Sequence, residues 1–433
     1  MFTAYHEALD WIHGRLRLGI KPGLKRMEIM MEKLGHPERR LRTIHIGGTN
    51  GKGSTLTYLR CILEEAGLSV GTFTSPYFEQ FNERISVNGH PISDKEIIEL
   101  ANVIYPLSEE LEKTEWGGPT EFEIITAMSM YYFAHIRPVD IVLYEVGLGG
   151  RLDSTNIIFP LVSVITSIGL DHTNILGDTY AKIAYEKAGI IKNGVKVVTA
   201  VKQREALEVI QTQAEEKKAP LYLLGSEFSI ENHISTECGE RFSFKSLFHE
   251  LDKLEIQMMG KHQTENAALA VMAAILLNNY YSIFIEDEHI LSGLKRAYWP
   301  GRFEIITSKP LVMMDGAHNE EGIQSLVQEL NKRYPEKAKR ILFAGLNDKK
   351  LDRMIGQLDE IAASITFVDF AYPRAATAET LFDISNSKNK RILSNWKEAV
   401  QEEITDLKVD EMLIITGSLY FLSDVKPYLV TII

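Results

Sequence analysis

At 433 residues the chain exceeds a typical single core and suits two domains, the larger with room for an extensive buried sheet. Its 45% hydrophobic and 24% charged residues describe a globular protein, and a formal net charge of −12 argues against a nucleic-acid-coating surface, so any phosphate or carboxylate ligand must be held by local groups. No apolar run approaches the roughly 18 residues of a membrane span, the first residues lack the sections of a secretory signal, and Cys61 and Cys238 form neither a CxxC pair nor a disulfide framework; a cytoplasmic protein with reduced thiols and no nucleic-acid or membrane partner is expected.

The first 35 residues read as two helices, with apolar positions at Leu9, Ile12 and Leu16, then Leu24, Met27 and Met31, separated by a loop at GIKPG, residues 19–23. From Thr43 short β-rich runs, TIHI, SVGTFT, DIVLYEV and LVSVITSI, alternate with helical sections such as 94–112 and 120–135. Near-continuous apolar strands joined by helices imply a parallel sheet covered on both faces. A polar stretch around 226–257 predicts antiparallel strands appended to that sheet, and HQTENAALAVMAAILL after it predicts a strongly apolar helix. AYWPGRFEII, residues 297–306, breaks the helical pattern and sets the expected domain boundary, dividing 1–297 from 298–433. Beyond it LVMMDG, RILFAG, SITFVDF and EMLIITG have the pattern of a smaller doubly wound α/β domain. The fold class is therefore α/β: a large P-loop ATPase-type domain with a mainly parallel sheet plus a smaller, Rossmann-like C-terminal domain, with the crevice between them as the default ligand site.

HIGGTNGKGST, residues 45–55, lies between a strand and a helix. A glycine-rich turn there lets backbone N–H groups converge on an anion while the helix N-terminus adds partial positive charge. Asn50, Gly51, Lys52, Gly53, Ser54 and Thr55 are thus the candidate phosphate-binding residues, Lys52 reaching the β- and γ-phosphates and Ser54 or Thr55 available to Mg²⁺. The spacing departs from GxxxxGK[ST], and its GxxGxG order is not the GxGxxG of a dinucleotide turn; a lysine inside the turn favours a triphosphate, and a tight turn with a solvated lysine is the plain alternative. Glu145 ends an apolar strand where a carboxylate could face a metal beside this loop, or simply be solvated.

In order along the chain, GGTNGKGST, FTSPYFEQFNERI, PTEFE, EVGLGGRLDSTN, SIGLDHTNILG, EKAGIIK, HQTENAALA, WPGRFE and DGAHN resemble the Mur ligase superfamily, and within it the folylpolyglutamate and dihydrofolate synthases. The resemblance spans nearly the whole length and implies ATP, two Mg²⁺ ions and addition of L-glutamate to dihydropteroate, to reduced folates, or to both, through an acyl phosphate. It implies Lys52, Glu145, His172 and Lys187 as catalytic residues; Ser54, Ser75, Glu145, His172 and Lys187 around magnesium; and Asn266, Arg302, Asp315 and His318 around the nucleotide. Lys187 matches a lysine that related ligases carbamylate, turning a cation into an oxygen donor. Pro22, Gly23, Thr120, Glu121, Phe122, Glu123 and Asp153 match the folate-contacting segments, although Thr120 and Glu123 also spell a helix capping box, and one conformation of Glu123 does not easily serve both roles. A monomer is expected. The rival readings are a Mur-type ligase acting on a cell-wall nucleotide, disfavoured by the FTSPYFEQFNERI and PTEFE segments, and an ATP-driven switch that makes no bond.

Overall fold

The computed structural model describes residues 1–19 and 21–432; Ile20, within the expected GIKPG loop, lies outside the described residues. Three sheets organise the chain. The largest has eight strands, in the spatial order His90–Pro91, Ile85–Val87, Val70–Phe73, Ile141–Glu145, Thr43–Gly47, Val162–Ile165, Lys196–Thr199 and Leu221–Leu223. Pairing is parallel from Val70–Phe73 through Leu221–Leu223, while Ile85–Val87 and His90–Pro91 form an antiparallel edge that the apolar pattern did not reveal.

The central strands are buried along their full length, because each face packs on helices. On one face Ile44 and Ile46 join the apolar side of helix Lys52–Glu65 and the long helix Lys261–Tyr281. On the other, Phe73, Val142 and Tyr144 meet helices Tyr5–His13, Lys25–Lys33, Asp94–Glu112 and Glu121–Tyr131. The helical sections expected at 94–112 and 120–135 are thus present, the second ending in a π-type turn at Tyr132–Ile136.

The structure corrects the reading of the polar stretch. Phe228–Thr236, Gly239–Ser246 and Glu250–Ile256 form their own antiparallel sheet and do not extend the large one. Phe228, Phe242, Phe244 and Leu254 pack with helix Lys261–Tyr281, so the short sheet covers one side of that helix and the large sheet the other. This explains why the helix is apolar all round rather than along one stripe.

The C-terminal sheet has six strands in the order Glu304–Ser308, Leu311–Asp315, Glu411–Thr416, Ala338–Phe343, Ala362–Asp369 and Lys390–Asn395. All pairs are parallel except the hairpin of the first two. Separate apolar clusters fill its two faces. Among the described residues no helix is long and apolar enough to cross a membrane.

Candidate active site

The strand order places the phosphate loop. The strand Thr43–Gly47 lies between Ile141–Glu145 and Val162–Ile165, so the chain leaving it emerges at a topological switch point, where neighbouring strand ends diverge and leave a crevice. Gly48 and Gly51 take φ of +146° and +86°, backbone states that a side chain disfavours. A Cβ on Gly51 would also lie 2.2 Å from Asn266 Oδ1, and one on Gly53 would lie 3.0 Å from the Trp299 indole. The segment after Val162–Ile165 fastens the loop: Thr49 N–H donates to the Ser167 carbonyl (2.8 Å), Asn50 N–H to Ser167 Oγ (3.0 Å), and Thr166 Oγ1 to the Asn50 carbonyl (2.6 Å).

Two cations converge on this turn. Lys52 Nζ donates to the Gly48 and Thr49 carbonyls (3.2 Å each), and Lys187 Nζ donates to the same Gly48 carbonyl at 2.8 Å. Lys52 Nζ also stands 4.0 Å from Glu145 Oε1, while Glu145 Oε2 accepts the Ser75 backbone N–H at 3.1 Å. Burial pushes the Glu145 carboxyl up, with Lys52 opposing. Lys187 is 5% exposed, and burial, reinforced by Lys52, lowers its ammonium to about 7. Lys52 and Lys187 therefore share the Gly48 carbonyl, and Lys52 links them to Glu145 and Ser75.

Ser54 and Thr55 sit in the first turn of helix Lys52–Glu65. Gln263 Nε2 donates to Ser54 Oγ (3.4 Å) and Asn266 Nδ2 to Gln263 Oε1 (3.1 Å), so helix Lys261–Tyr281 supports the loop from behind. The Thr55 hydroxyl is fully buried and has no protein partner. His172 adopts a left-handed φ of +51°, its N–H donating to Asp171 Oδ1 at 2.8 Å. Burial lowers its imidazole to about 4, which keeps a ring lone pair free at neutral pH.

The C-terminal domain closes over this edge. Asn319 and Asn50 exchange amide hydrogen bonds (2.9 and 3.2 Å), Lys349 Nζ reaches Asp171 Oδ1 at 2.6 Å, and Leu170 N–H donates to Glu321 Oε1 at 2.9 Å. Burial works against the charge on Asp171, yet Lys349 holds its carboxyl well below the usual carboxylate range. Asp315 accepts from the Phe303 and Ala317 backbone N–H groups (2.8 and 2.9 Å), Arg302 Nη1 donates to the Gly316 carbonyl (3.4 Å), and His318 Nδ1 lies 2.7 Å from that carbonyl. Asp315, Arg302 and His318 thus form one turn at the end of strand Leu311–Asp315.

The expected substrate residues divide in kind. Glu123 is 2% exposed; its Oε2 accepts from Thr120 N–H (2.7 Å) and Thr120 Oγ1 (3.0 Å), and Arg26 Nε bonds both its oxygens at 2.9 and 3.0 Å. Thr120 and Glu123 thus form the capping box that starts helix Glu121–Tyr131, with Arg26 as the carboxylate's third partner. Asp153 is likewise bonded within its own loop: its carboxylate accepts from Leu148 N–H (2.8 Å), Thr155 N–H (3.0 Å) and Thr155 Oγ1 (2.5 Å), which orders the loop after Glu145. Phe122 fills the space above Gly147, where a Cβ would lie 2.5 Å from its ring; Glu121 Oε1 is 3.3 Å from His13 Nδ1; Pro22 is exposed and Gly23 takes φ of +130°.

Asp171, Asn319, Gln263 and Trp299 stand inside the family-like segments, but a motif does not say which polar member crosses to another element. Lys349, in NDKK, carries no local signal at all.

Two family models match the chain: the Mur ligase middle domain over residues 46–274 and the Mur ligase glutamate ligase domain over 301–419. A Bacillus subtilis protein named dihydrofolate synthase/folylpolyglutamate synthase is 49% identical over 433 residues, covering 99% of this chain and all of that one. Among solved structures, Mycobacterium tuberculosis folylpolyglutamate synthase complexed with ADP superposes with a TM-score of 0.91 at 28% identity, covering 98% of this chain and 99% of that one. E. coli FolC in complex with DHPP and ADP gives 0.87 at 27% identity, covering 98% of each. The phosphate loop at the switch point, the second α/β domain over it and these full-length likenesses lead to one conclusion: the chain belongs to the Mur ligase family, as an ATP-dependent ligase of its dihydrofolate and folylpolyglutamate synthase branch.

Proposed function

We propose that the protein joins L-glutamate both to dihydropteroate and to the γ-carboxylate of reduced folates, in the cytoplasm and as a monomer, with a functional division at residues 297/298. The observation that carries this reading is that Lys52 and Lys187 share the Gly48 carbonyl while Lys52 stands 4.0 Å from Glu145, in a chain 49% identical to a relative named for both activities.

A carboxylate and an amine do not condense in water without activation, so the γ-phosphoryl of ATP must first reach the carboxylate. In this reading the N–H groups of Asn50 to Thr55 cradle the phosphates, and Lys52 turns from the loop carbonyls to the transferring phosphoryl group. Arg302 approaches the nucleotide from the second domain, with Asp315, His318 and Asn266 setting its orientation. The amine of glutamate then attacks the acyl phosphate, giving amide, ADP and phosphate, while the closed crevice keeps water from the activated carboxyl.

Ser54, Ser75, Glu145 and His172 would hold magnesium. Among the described residues no group of three or more His, Cys, Asp or Glu could hold a metal alone, which suits Mg²⁺, an ion that keeps waters and phosphate oxygens as its main ligands. When bound, the metal neutralises phosphate charge. Lys187, lowered to about 7, offers at neutral pH the uncharged amine that adds CO₂, so the reading includes its carbamate. A ¹³C carbamate signal from protein equilibrated with labelled bicarbonate, absent in Lys187→Ala, tests that part.

Product mass tests the whole. With ATP, Mg²⁺ and L-glutamate, one glutamate residue is expected on dihydropteroate in one tube and on tetrahydrofolate in another. Addition to tetrahydrofolate alone removes the first activity; addition to neither overturns the reading.

A further inference from the structure

Helix Glu320–Arg333, about 20 Å long, touches the rest of the molecule at both ends. Its start, capped by Asn319, meets the phosphate-loop side through Asn50 and Leu170. Its last turn meets something the chemistry above does not use. There Arg333 is bonded to Glu240 of the short antiparallel sheet, both side chains being almost fully buried, and Arg333 Nη1 also donates to the Thr236 carbonyl at 2.7 Å. Arg333 Nε pairs with Glu329 of its own helix at 3.2 Å.

The two carboxylates have a common second task. Glu240 Oε1 accepts the backbone N–H of Gly260 at 2.7 Å, and Glu329 Oε1 accepts that of Lys261 at 3.1 Å. These are opening N–H groups of helix Lys261–Tyr281, which have no partner inside the helix. The same first turn and a half carries Gln263 to Ser54 and Asn266 against Gly51. Two buried carboxylates meet at this helix N-terminus, and Arg333 between them is bonded to both.

We propose that Arg333, with Glu240 and Glu329, is a positioning group for the nucleotide: it fixes the start of helix Lys261–Tyr281 from the C-terminal domain, and so sets Gln263 and Asn266 against the phosphate loop. The inference rests on the reading of that loop as the ATP site. It makes nucleotide affinity depend on a contact remote from any substrate and ties it to the seating of the second domain.

The test is ADP affinity by titration calorimetry together with KM for each substrate, in the full chain and in Arg333→Gln. Loss of the counter-charge is expected to weaken ADP and raise the ATP KM about tenfold, the middle of the usual range for coupling between sites, while KM for glutamate and for the pterin stays within about twofold. Arg333→Lys should recover part of the loss. If Arg333→Gln does not fold, Glu329→Gln removes one anion and keeps the Arg333 to Glu240 pair, and the same nucleotide-selective loss is expected, smaller in size. Unchanged ADP affinity in a folded variant, or an equal rise in all three KM values, overturns the inference. Failure of the unmodified protein to bind ADP would instead sink the reading of the loop.

Discussion

Lys52 bonds loop carbonyls and stands 4.0 Å from Glu145, so its removal deletes a charge at the glycine-rich loop without opening the core. Lys52→Ala should lower turnover by about 10²–10³-fold, while thermal unfolding shifts by no more than about 1 kcal/mol. Equal losses in both would contradict its assignment. Gly51 is constrained twice, by its φ of +86° and by the Asn266 amide where a Cβ would go. Gly51→Ala should therefore weaken ADP binding, and unchanged affinity by titration would contradict this. Both residues were legible in the sequence because a lysine among glycines between strand and helix has few other uses. Thr120 and Glu123 were legible as a capping box, and Asp153 only as polar and special. Their partners Arg26 and Leu148 follow from packing, which residue type does not encode.

The helix at Glu121–Tyr131 begins with a reciprocal capping box, and Arg26 from helix Lys25–Lys33 completes the carboxylate. Thr120→Ala should cost about 1 kcal/mol, as other lost caps do, whereas Glu123→Ala leaves Arg26 buried without its partner and should cost about 3–5 kcal/mol. Urea unfolding would distinguish them, and equal costs would show that the cap rather than the ion pair fixes this helix. Elements with strong periodicity, such as helix Asp94–Glu112 or the strands of the large sheet, could be read directly from the chain. The antiparallel edge at Ile85–Val87 and His90–Pro91 could not, because two or three residues leave no period. The short sheet at 228–256 read correctly as antiparallel strands and wrongly as an extension. Alternation reports one buried face, and here that face lies on helix Lys261–Tyr281, not beside another strand.

At the scale of the whole molecule, four imidazoles are lowered by burial, His45 to about 3 and His172, His262 and His318 to about 4, against an unfolded value near 6.5. Between those limits the unfolded chain binds protons that the native one does not, so stability falls as pH drops from about 6.5 towards 4, by about 1.4 kcal/mol per pH unit for each full proton. The carboxyls of Glu145, Asp153 and Asp315, which burial pushes up, take protons more readily in the native state and offset part of this at the acid end. Denaturant midpoints across pH 4 to 7 should show that decline, and a flat profile would contradict the buried neutral state of these rings.

Seating of the second domain depends on contacts that cross between them, Lys349 to Asp171 and Asn319 to Asn50. That the C-terminal strands form a sheet of their own was legible from strand spacing; those pairings were not, since they join residues more than a hundred positions apart. In the proposed reaction the γ-phosphoryl held at the phosphate loop passes to a substrate carboxylate in this crevice. The direct measurement is isotope transfer: folate labelled with ¹⁸O in its γ-carboxylate is converted with ATP and L-glutamate, and the released phosphate is analysed by mass. One ¹⁸O atom per phosphate is expected, carried over when glutamate displaces the acyl phosphate. Unlabelled phosphate alongside amide product would contradict the claim.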